Sequence, residues 1–597
     1  MEPERFKVDL RGVVDLLSTA IYSSPRVYLR ELIQNAADAI TARSLLDPSW
    51  HTAGMVITPA GVAGPQLRIR DDGIGLTAHE VADALATVGG SLKRDALGLP
   101  ATGMLGRFGI GLLSALMVSD EIVLQTRSAR GGPAVEWIGR SDGTYVLREL
   151  TDDLPIGTQI TLITRADDAN LVGPRAVHEL ATQYAAYLPV PIHIADVQGL
   201  TTITQDPAFL SADPATLIDI GTEILGVRPF DAIPIDIPLT GTRGVAFVLP
   251  HPVPPQSVGS HTVYCRRMLV TDRSRQIAPE WAFFARIIVD STGVNPTASR
   301  EALIEDEALT STREAIGMAL RRWIAQLATQ DPLRLEAFVA THYLGLKALA
   351  VHDDEIAPLI VRLLPMETSR GITSVAELVA ASSEILYVPT TDQFRQVNAL
   401  SSGRQVVVNA TYTWDAEVLR RLPSLIAGVT VREVSVTDVL DRLEPVWSGD
   451  RAAAMAFEAR ADGVLAQWDC RATVRVAQSG DVPAYLLTDP HLIRRTERER
   501  AQEAGTSRWS RVLQTLESVA HDREAATGRT LLLNWGNPLV RRLADIEDPL
   551  LLGRNLRLLH LQSTLATGRP LSALESDALT ATLTDLMILA MTEGTHS

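Results

Sequence analysis

Three polar side chains share one face of a predicted helix near the start of the chain. In the segment RELIQNAADAI, Glu31, Asn35 and Asp38 are separated by four and three residues, a spacing that aligns side chains along a helix. A carboxylate and an amide one turn apart can serve a magnesium nucleotide, because an amide oxygen can ligate Mg²⁺ and a carboxylate can orient a water molecule. The alternative is an ordinary solvated helix face.

A second group follows the predicted strand QLRIR, residues 66–70. This strand ends in Asp71-Asp72-Gly73-Ile74-Gly75, where a carboxylate can accept from an exocyclic amine and two glycines let a flat base approach the backbone. The alternative is a plain turn. Further on, Gly157-Thr158 opens the predicted strand QITLI, and the threonine hydroxyl could bond Asp71 or a water on the base. The two segments together predict an adenine-binding pocket.

A glycine-rich region lies between these two strands. In GMLGRFGIGLLSALMV, Gly103, Gly106, Gly109 and Gly111 lead into an apolar helix, whose N-terminal amides can face phosphate groups. The chain has neither the lysine-bearing P-loop pattern nor a dinucleotide fingerprint flanked by strands. The region therefore predicts a phosphate-binding element unlike those of the commoner nucleotide-binding folds.

Length and composition limit the class of protein. The chain has 597 residues, 46% hydrophobic and 21% charged, which predicts several globular domains and excludes a disordered, collagen-like or coiled-coil chain. Acidic residues number 71 and basic residues 55, giving a net charge of -16. Such a charge opposes attraction to phosphate backbones, so we expect no nucleic-acid partner.

Cysteine usage and hydropathy predict a cytoplasmic protein. Cys265 and Cys470 lie far apart and are predicted to be buried thiols of a reduced protein without a zinc site. The N-terminus lacks a signal-peptide pattern, and the longest charge-free stretch, between Arg243 and Arg266, is interrupted by prolines and histidines. We therefore expect no membrane segment.

The pattern of elements predicts an α+β protein. A mixed α+β domain fits residues 1–195, with a helix that starts at Ser24-Pro25. The Asp-Pro pairs in residues 196–217 predict a linker. An α/β middle domain follows over residues 218–485, and a mostly helical C-terminal domain over residues 486–597.

In their order along the chain, the N-terminal segments resemble the ATPase domain of the heat shock protein 90 chaperones, members of a superfamily shared with gyrase, histidine kinases and mismatch-repair ATPases. YLRELIQNAADAI, IRDDGIGLT, LGRFGIGLLSALMVSDEIVLQTRS and IGTQITL all match. The resemblance implies a two-layer α/β sandwich that binds ATP and Mg²⁺. It makes Glu31 the catalytic base, Asn35 the magnesium ligand, Asp71 the adenine contact and Thr158 its support. Residues 87–108 would form a lid, and the other implied nucleotide contacts are Asp38, Gly73, Gly75, Leu76, Lys93, Gly106, Phe108, Gly109 and Gly111.

The resemblance continues past residue 200. TVYCRRMLVTD and PEWAFFARIIVDSTGVNPTASREAL match the family's middle domain, and Arg300 falls on its catalytic arginine, which reaches the γ-phosphate from outside the nucleotide pocket. The alternative is a surface arginine. LLLNWGNPLVRRLADIEDP and the closing helices resemble the C-terminal dimerisation domain. The family usually has an asparagine and a glutamine flanking the arginine, where this chain has Thr297 and Ile304.

The resemblance implies an ATP-hydrolysing chaperone that works as a homodimeric clamp on unfolded or partly folded client proteins. The chain ends MTEGTHS, without the acidic pentapeptide that recruits eukaryotic co-chaperones, and looks like a bacterial, stand-alone form. One alternative is a nucleotide-binding scaffold with little hydrolysis, motivated by Thr297 and Ile304. Another is a kinase or DNA-processing ATPase of the superfamily, which the lack of a histidine before His51 and the net charge of -16 disfavour.

Overall fold

A computed structural model shows a mixed α/β protein with sheets and many helices. It describes residues 4–5, 24–85, 111–211, 213–254, 260–297, 299, 301–400, 406–441, 443–468, 470–477, 480–488, 529–568, 571 and 573–593. The chain divides into two compact units, Met1–Pro332 and Leu333–Ser597. The division falls inside the predicted middle domain, and the predicted domain boundaries and three-domain layout stay predictions.

The first unit contains two sheets and six α-helices among its described residues. Its strands are β1 (Glu4–Arg5), β2 (Met55–Thr58), β3 (Leu67–Asp71), β4 (Ser119–Arg127), β5 (Ala134–Arg140), β6 (Thr144–Leu150), β7 (Gly157–Thr164), β8 (Ile192–Asp196), β9 (Gly199–Thr202), β10 (Asp231–Ile237), β11 (Thr242–Val248), β12 (His261–Cys265), β13 (Met268–Ser274) and β14 (Ala285–Ser291). Its helices are α1 (Val27–Leu46), α2 (Ala78–Leu85), α3 (Ala169–Val172), α4 (Pro174–Ala185), α5 (Pro214–Leu225) and α6 (Glu307–Gln330). Short 3-10 helices include Gly111–Met117 and Ala208–Leu210.

The first sheet has nine strands in the order β1-β6-β5-β4-β7-β3-β2-β8-β9. Its pairs are antiparallel except for β2 and β8, which are parallel. Apolar residues alternate along the strands and face α1 and α4, with which they form one core. This layer of helices on one face of the sheet places α1 beside the end of β3.

Helix α1 is buried on almost every side. Its apolar residues from Val27 to Ile40 belong to the core of the first sheet. The helix begins at Val27, not at the predicted start Ser24-Pro25. The Ser24 hydroxyl instead accepts from the Arg26 amide at 3.3 Å, in the turn that precedes the helix.

The second sheet has five strands in the order β10-β11-β14-β12-β13. Strands β12 and β13 are joined by Arg266 and Arg267, which both have a positive φ, 50° and 66°. This left-handed turn is held by Asp290, whose carboxylate accepts from the Arg267 amide at 2.6 Å. Met268, directly after the turn, packs into the core of the first sheet.

The segment predicted as a linker carries ordered structure. It contains β9, which pairs with β8 at the sheet edge, and Phe209, which is 2% exposed. The Phe209 ring lies 5.2 Å from the Tyr187 ring and 5.3 Å from the Tyr264 ring, measured between centroids. These three aromatic residues come from the region after α4, from the predicted linker and from β12. The segment is therefore fixed to both sheets of the first unit.

The second unit contains two smaller sheets. Its strands are β15 (Pro365–Thr368), β16 (Gly371–Ser374), β17 (Glu384–Val388), β18 (Val407–Asn409), β19 (Thr430–Glu433), β20 (Cys470–Arg475), β21 (Ala484–Leu487) and β22 (Arg529–Asn534). Its helices are α7, which begins at the unit boundary (Pro332–His352), α8 (Ala357–Ile360), α9 (Val375–Ala381), α10 (Thr391–Leu400), α11 (Asp415–Leu425), α12 (Val436–Asp441), α13 (Arg451–Leu465), α14 (Pro538–Ala544), α15 (Pro549–Ala566) and α16 (Ala573–Glu593). The sheet orders are β16-β15-β18-β17-β19 and β20-β22-β21.

A buried ion pair joins α7 to α11 in this unit. The Lys347 ammonium lies 2.6 Å from a carboxylate oxygen of Asp415, and both side chains are buried. Burial raises the pKa of Asp415, although Lys347 acts in the opposite direction. A buried pair of this kind specifies how the two helices meet, because either charge alone would be strongly destabilising there.

Two further expectations from the sequence can be compared with this fold. Cys265 and Cys470 are both buried, as predicted. Within the described ranges, no helix combines the length and the apolar character that crossing a bilayer requires.

We expect Phe209→Ala to lower the free energy of unfolding by about 3 to 5 kcal/mol, because it removes a buried ring and leaves a cavity among Tyr187 and Tyr264. Chemical denaturation followed by fluorescence measures the loss. Leu239→Ala is the matched control, since the Leu239 side chain is 82% exposed and its truncation should be nearly neutral. A similar, small loss in both variants would contradict the packing role of Phe209.

Candidate functional site

The polar stripe of α1 is buried rather than solvated. Glu31 and Asp38 are each 3% exposed, and Asn35 is half-buried. Buried carboxylates are rare unless other groups compensate their loss of hydration. The solvated helix face that the sequence left open is therefore excluded for these positions.

Gly111 packs directly against this stripe. A Cβ atom at Gly111 would lie 2.7 Å from Glu31 Oε2 and 3.6 Å from the Asn35 amide nitrogen. Any larger residue would displace the Glu31 carboxylate. The start of the 3-10 helix Gly111–Met117 thus closes one side of the space that Glu31 and Asn35 line.

Arg30 connects Glu31 to two other elements. Its Nε atom lies 3.6 Å from Glu31 Oε1, and its guanidinium carbon lies 5.4 Å from the centre of the Tyr184 ring in α4. Its Nη2 atom donates a hydrogen bond of 2.7 Å to the backbone carbonyl of Ser299. Arg30, which is only 2% exposed, therefore bridges α1 and the loop that precedes Arg300.

The segment Asp71–Leu76 passes between α1 and β4. The Ile74 amide donates to the Ala39 carbonyl of α1 at 2.9 Å, and the Leu76 amide donates to the Thr126 hydroxyl of β4 at 2.9 Å. Both anchors use backbone atoms of the segment. They fix its path independently of the Asp71 side chain.

Two glycines allow this path. A Cβ at Gly73 would lie 2.6 Å from the Ala39 carbonyl carbon and 2.8 Å from Asp71 Oδ1. Gly75 has a φ of +64°, and a Cβ there would lie 1.9 Å from the Arg127 carbonyl oxygen. The close approach of backbone to α1 and β4 thus requires glycine at both positions.

The two adjacent aspartates have different surroundings. Asp72 accepts hydrogen bonds from the Thr52 hydroxyl at 2.7 Å and the Ala53 amide at 2.6 Å, so it holds the chain before β2. Asp71 is 6% exposed and accepts from the Gly73 amide at 2.9 Å. Asp72 therefore has a structural role, whereas Asp71 is the carboxylate that packs beside Gly73.

Burial raises the pKa of Asp71 to about 7, although the hydrogen bond from the Gly73 amide acts in the opposite direction. A carboxyl group with such a pKa is partly protonated at neutral pH and can either accept or donate a hydrogen bond. Strongly shifted groups of this kind occur preferentially at functional sites.

Thr158 pairs with Asp71 in the ladder between β3 and β7. Its hydroxyl lies 3.0 Å from the Thr126 hydroxyl, and Thr126 is 1% exposed. Thr126 thus joins Thr158 to the Leu76 amide. Sequence reasoning missed Thr126 because an isolated threonine in a strand carries no distinguishing pattern. Its inward position in the alternation of β4 was the signal available.

The loop that contains Arg300 is closed by backbone pairing. The Thr297 amide donates to the Ala302 carbonyl at 2.9 Å, and the Ile304 amide donates to the Asn295 carbonyl at 2.8 Å. The Thr297 hydroxyl lies 3.1 Å from the Ser299 hydroxyl. The Ile304 side chain is 41% exposed, so it does not point into a buried site.

Five of the predicted site residues lie outside the described residues. They are Lys93, Gly106, Phe108, Gly109 and Arg300. The whole of the predicted lid, residues 87–108, lies outside them as well. The assignments of these residues stay predictions, as do the roles of the described ones.

The described residues include groups that could hold a nucleotide and Mg²⁺. Gly73 and Gly111 form two cradles that a Cβ would fill, one beside Asp71 and one beside Glu31 and Asn35. Among the residues with a described placement, no three histidine, cysteine or acidic side chains form a metal site. An ion held by one amide together with phosphate oxygens needs no such cluster, so the donor set fits Mg²⁺ that arrives with a nucleotide.

The chain is similar to several chaperones. It is 25% identical over 410 residues to the chaperone protein HtpG of Desulfitobacterium hafniense, a match that covers 64% of this chain and 65% of the relative. It is 25% identical over 500 residues to HtpG of Mycobacterium tuberculosis, covering 75% and 74%. For HtpG of Chlorobium luteolum the identity is 24%, with 56% and 57% covered.

These similarities support a relationship to the heat shock protein 90 family. The names of the relatives support a chaperone function. The chain spans just under two thirds of the length of the Desulfitobacterium protein. A scan against models of known protein families finds no match.

The raised pKa of Asp71 predicts how the stability of the nucleotide-free protein depends on pH. The folded state holds a proton on Asp71 up to about pH 7, whereas the unfolded state releases it near pH 3.8. Stability from this group therefore falls as the pH rises between these values. Relative to Asp71→Asn, the wild type should lose on the order of 2 to 3 kcal/mol between pH 5 and 8.

Denaturant unfolding at pH 5 and pH 8 measures this difference. Asp213→Asn is the control, because hydrogen bonds from Thr216 lower the pKa of Asp213 and keep it below this window. Its stability relative to wild type should be the same at both pH values. A constant difference for Asp71→Asn as well would contradict the raised pKa.

Proposed function

We propose that this chain is an ATP-hydrolysing chaperone that acts as a homodimeric clamp on unfolded or partly folded proteins. The observation that carries the proposal is the arrangement of two glycine cradles along α1. Gly111 packs on Glu31 and Asn35, and Gly73 packs on Ala39 beside Asp71. The eight helical steps from Glu31 to Ala39 correspond to about 12 Å of helix, comparable with an extended nucleoside triphosphate.

In this proposal the adenine base binds at the end of the candidate site that contains Asp71. The Asp71 carboxyl accepts from the exocyclic amine of adenine. Gly73 and Gly75 let the segment that carries Asp71 pack closely on α1 and β4. Thr126 and Thr158 support Asp71 from β4 and β7. A base with a donor at this edge is favoured, because a mismatched polar pair in a buried site is costly.

The Glu31 end receives the phosphates. The Glu31 carboxylate accepts a proton from a water molecule while the water oxygen attacks the γ-phosphorus. The bond between the γ-phosphorus and the bridging β-phosphate oxygen breaks, and ADP leaves. Asn35 would hold Mg²⁺, which neutralises charge on the phosphate oxygens when bound. Gly111 leaves space for the Glu31 carboxylate, which a Cβ at that position would displace.

Arg300 supplies the remaining positive charge in the proposal. Its neighbour Ser299 is hydrogen-bonded to Arg30, the residue before Glu31. This contact supports delivery of Arg300 to the phosphate end of α1 rather than to a remote surface. An arginine at that point stabilises the charge that develops on the transferred phosphoryl group.

The relatives and helix α16 support the clamp. The relatives are named chaperones. Helix α16, which belongs to the region that resembles the family's C-terminal dimerisation domain, exposes Leu583 and Met587. Association through this helix would keep two ATPase sites at high effective concentration.

A second candidate is a nucleotide-binding scaffold with little hydrolysis. It is favoured by the loop around Arg300, where the Thr297 hydroxyl is engaged with Ser299 and Ile304 is exposed. Neither residue has the side-chain amide that the family's asparagine and glutamine would offer to a phosphate. Another ATPase of the superfamily is a third candidate, and phosphate release above background with refolding of a denatured client would separate the three.

We expect the purified protein to release phosphate from ATP, and Glu31→Ala to slow this release by about 10² to 10⁴ while ATP still binds. Asp71 can still contact the adenine ring in that variant. Asp71→Asn is the complementary variant and should lose ATP binding by about 1 to 3 kcal/mol or more. Calorimetry and phosphate release measure the two effects. Unchanged hydrolysis in Glu31→Ala would refute its role as the base.

Arg300→Ala should slow hydrolysis strongly, by up to roughly 10³-fold, with little change in ATP affinity. The reason is that its charge acts mainly on the transition state. Arg273→Ala is the control, because the Arg273 side chain is 85% exposed, and it should leave turnover unchanged. Equal rates in both variants would place Arg300 on the surface, away from the reaction.

A further inference from the structure

Gln34 is a buried amide on the same stripe as the proposed catalytic base. It is 1% exposed and lies three residues after Glu31 and four after Arg30 in α1. Within the part of the chain that the structure describes, neither its Oε1 nor its Nε2 atom has a hydrogen-bond partner. Leaving both ends of an amide unpaired in the interior destabilises the folded chain.

Another buried glutamine of the chain is satisfied. Gln396, which is 7% exposed, accepts from the Thr488 amide at 3.0 Å. Local hydrogen bonding therefore accounts for Gln396 and not for Gln34. A buried polar group that the fold leaves unpaired is explained when a ligand completes its hydrogen bonds.

The position of Gln34 on the helix indicates which ligand groups it can reach. With 3.6 residues per turn, its side chain projects about 40° from Arg30 and about 60° from Glu31 around the helix axis. It therefore lies in the sector between the Glu31 carboxylate and the guanidinium that holds Ser299. In the proposed function this sector contains the terminal phosphate and the attacking water.

We propose that Gln34 contacts the γ-phosphate and the attacking water of bound ATP. This inference rests on the proposed ATPase function and adds a substrate-contacting residue to it. The Nε2 amide donates to a terminal phosphate oxygen, and Oε1 accepts from the water that Glu31 deprotonates. A neutral amide can serve both partners at once, whereas a carboxylate would repel the phosphate.

Gln34→Met tests the inference, because methionine keeps the length of the side chain and removes both polar atoms. We expect hydrolysis to fall at least tenfold. Affinity for the non-hydrolysable analogue adenylyl imidodiphosphate should fall more than affinity for ADP, which has no γ-phosphate. The thermal midpoint of the nucleotide-free protein should rise by a few degrees, since an unpaired amide is removed.

Gln396→Met is the matched control. It removes a buried amide that has a partner, so its thermal midpoint should fall, and its turnover should be unchanged at a temperature where it is folded. Gln34→Glu is a second variant and should also slow hydrolysis, because it places a negative charge beside the phosphate.

The outcomes separate this inference from the proposed function. Hydrolysis by wild type and by Gln34→Met at the same rate overturns the role of Gln34 and leaves the ATPase proposal standing. Equal losses of ADP and analogue binding, or a lower thermal midpoint in Gln34→Met, also overturn it, since they indicate a structural role. Absence of hydrolysis in the wild type refutes the proposed ATPase function, and the inference with it.

Discussion

The structure of the first unit depends on the burial of a polar helix face. Helix α1 places one arginine, one glutamine and two carboxylates in the interior, namely Arg30, Gln34, Glu31 and Asp38. Each loses its hydration there and has to be compensated by the surrounding chain. The glycines at 73 and 111, the backbone anchors of the Asp71–Leu76 segment and the bridge from Arg30 all follow from this requirement.

The same constraint makes the two ends of the candidate site chemically different. At one end, burial raises the pKa of Asp71, and the Gly73 backbone packs beside this carboxyl group. At the other end, Arg30 lies close to Glu31, so this carboxylate has a positive neighbour. One end is thus suited to hydrogen-bond recognition of a neutral ring and the other to a charged group and a reactive water.

Much of this site could be predicted from the sequence because its parts are local patterns. The spacing of Glu31, Asn35 and Asp38 and the glycines after β3 define a helix stripe and a tight segment without knowledge of the rest of the fold. The burial of Gln34 could not be predicted, since a glutamine on a polar stripe reads as solvated until the packing of α1 is known. The Arg30 contact with Ser299 spans 269 positions, and no local pattern encodes it. The Asp-Pro pairs in residues 196–217 predict a linker. The packing of Phe209 in that segment, however, depends on aromatic rings that are distant in the sequence.

The bridge from Arg30 has a consequence for how the chain tolerates change over evolutionary time. Its acceptor is a main-chain carbonyl, which every amino acid supplies at position 299. Side chains in this loop can therefore drift without loss of the attachment, as long as the ladder between residues 295–297 and 302–304 keeps the carbonyl in place. Arg30 has no such freedom, because no other residue combines its reach with a planar group that can lie beside Glu31 and over the Tyr184 ring. Selection on the attachment thus falls almost wholly on the helix, and the side chains of the loop are left free to diverge.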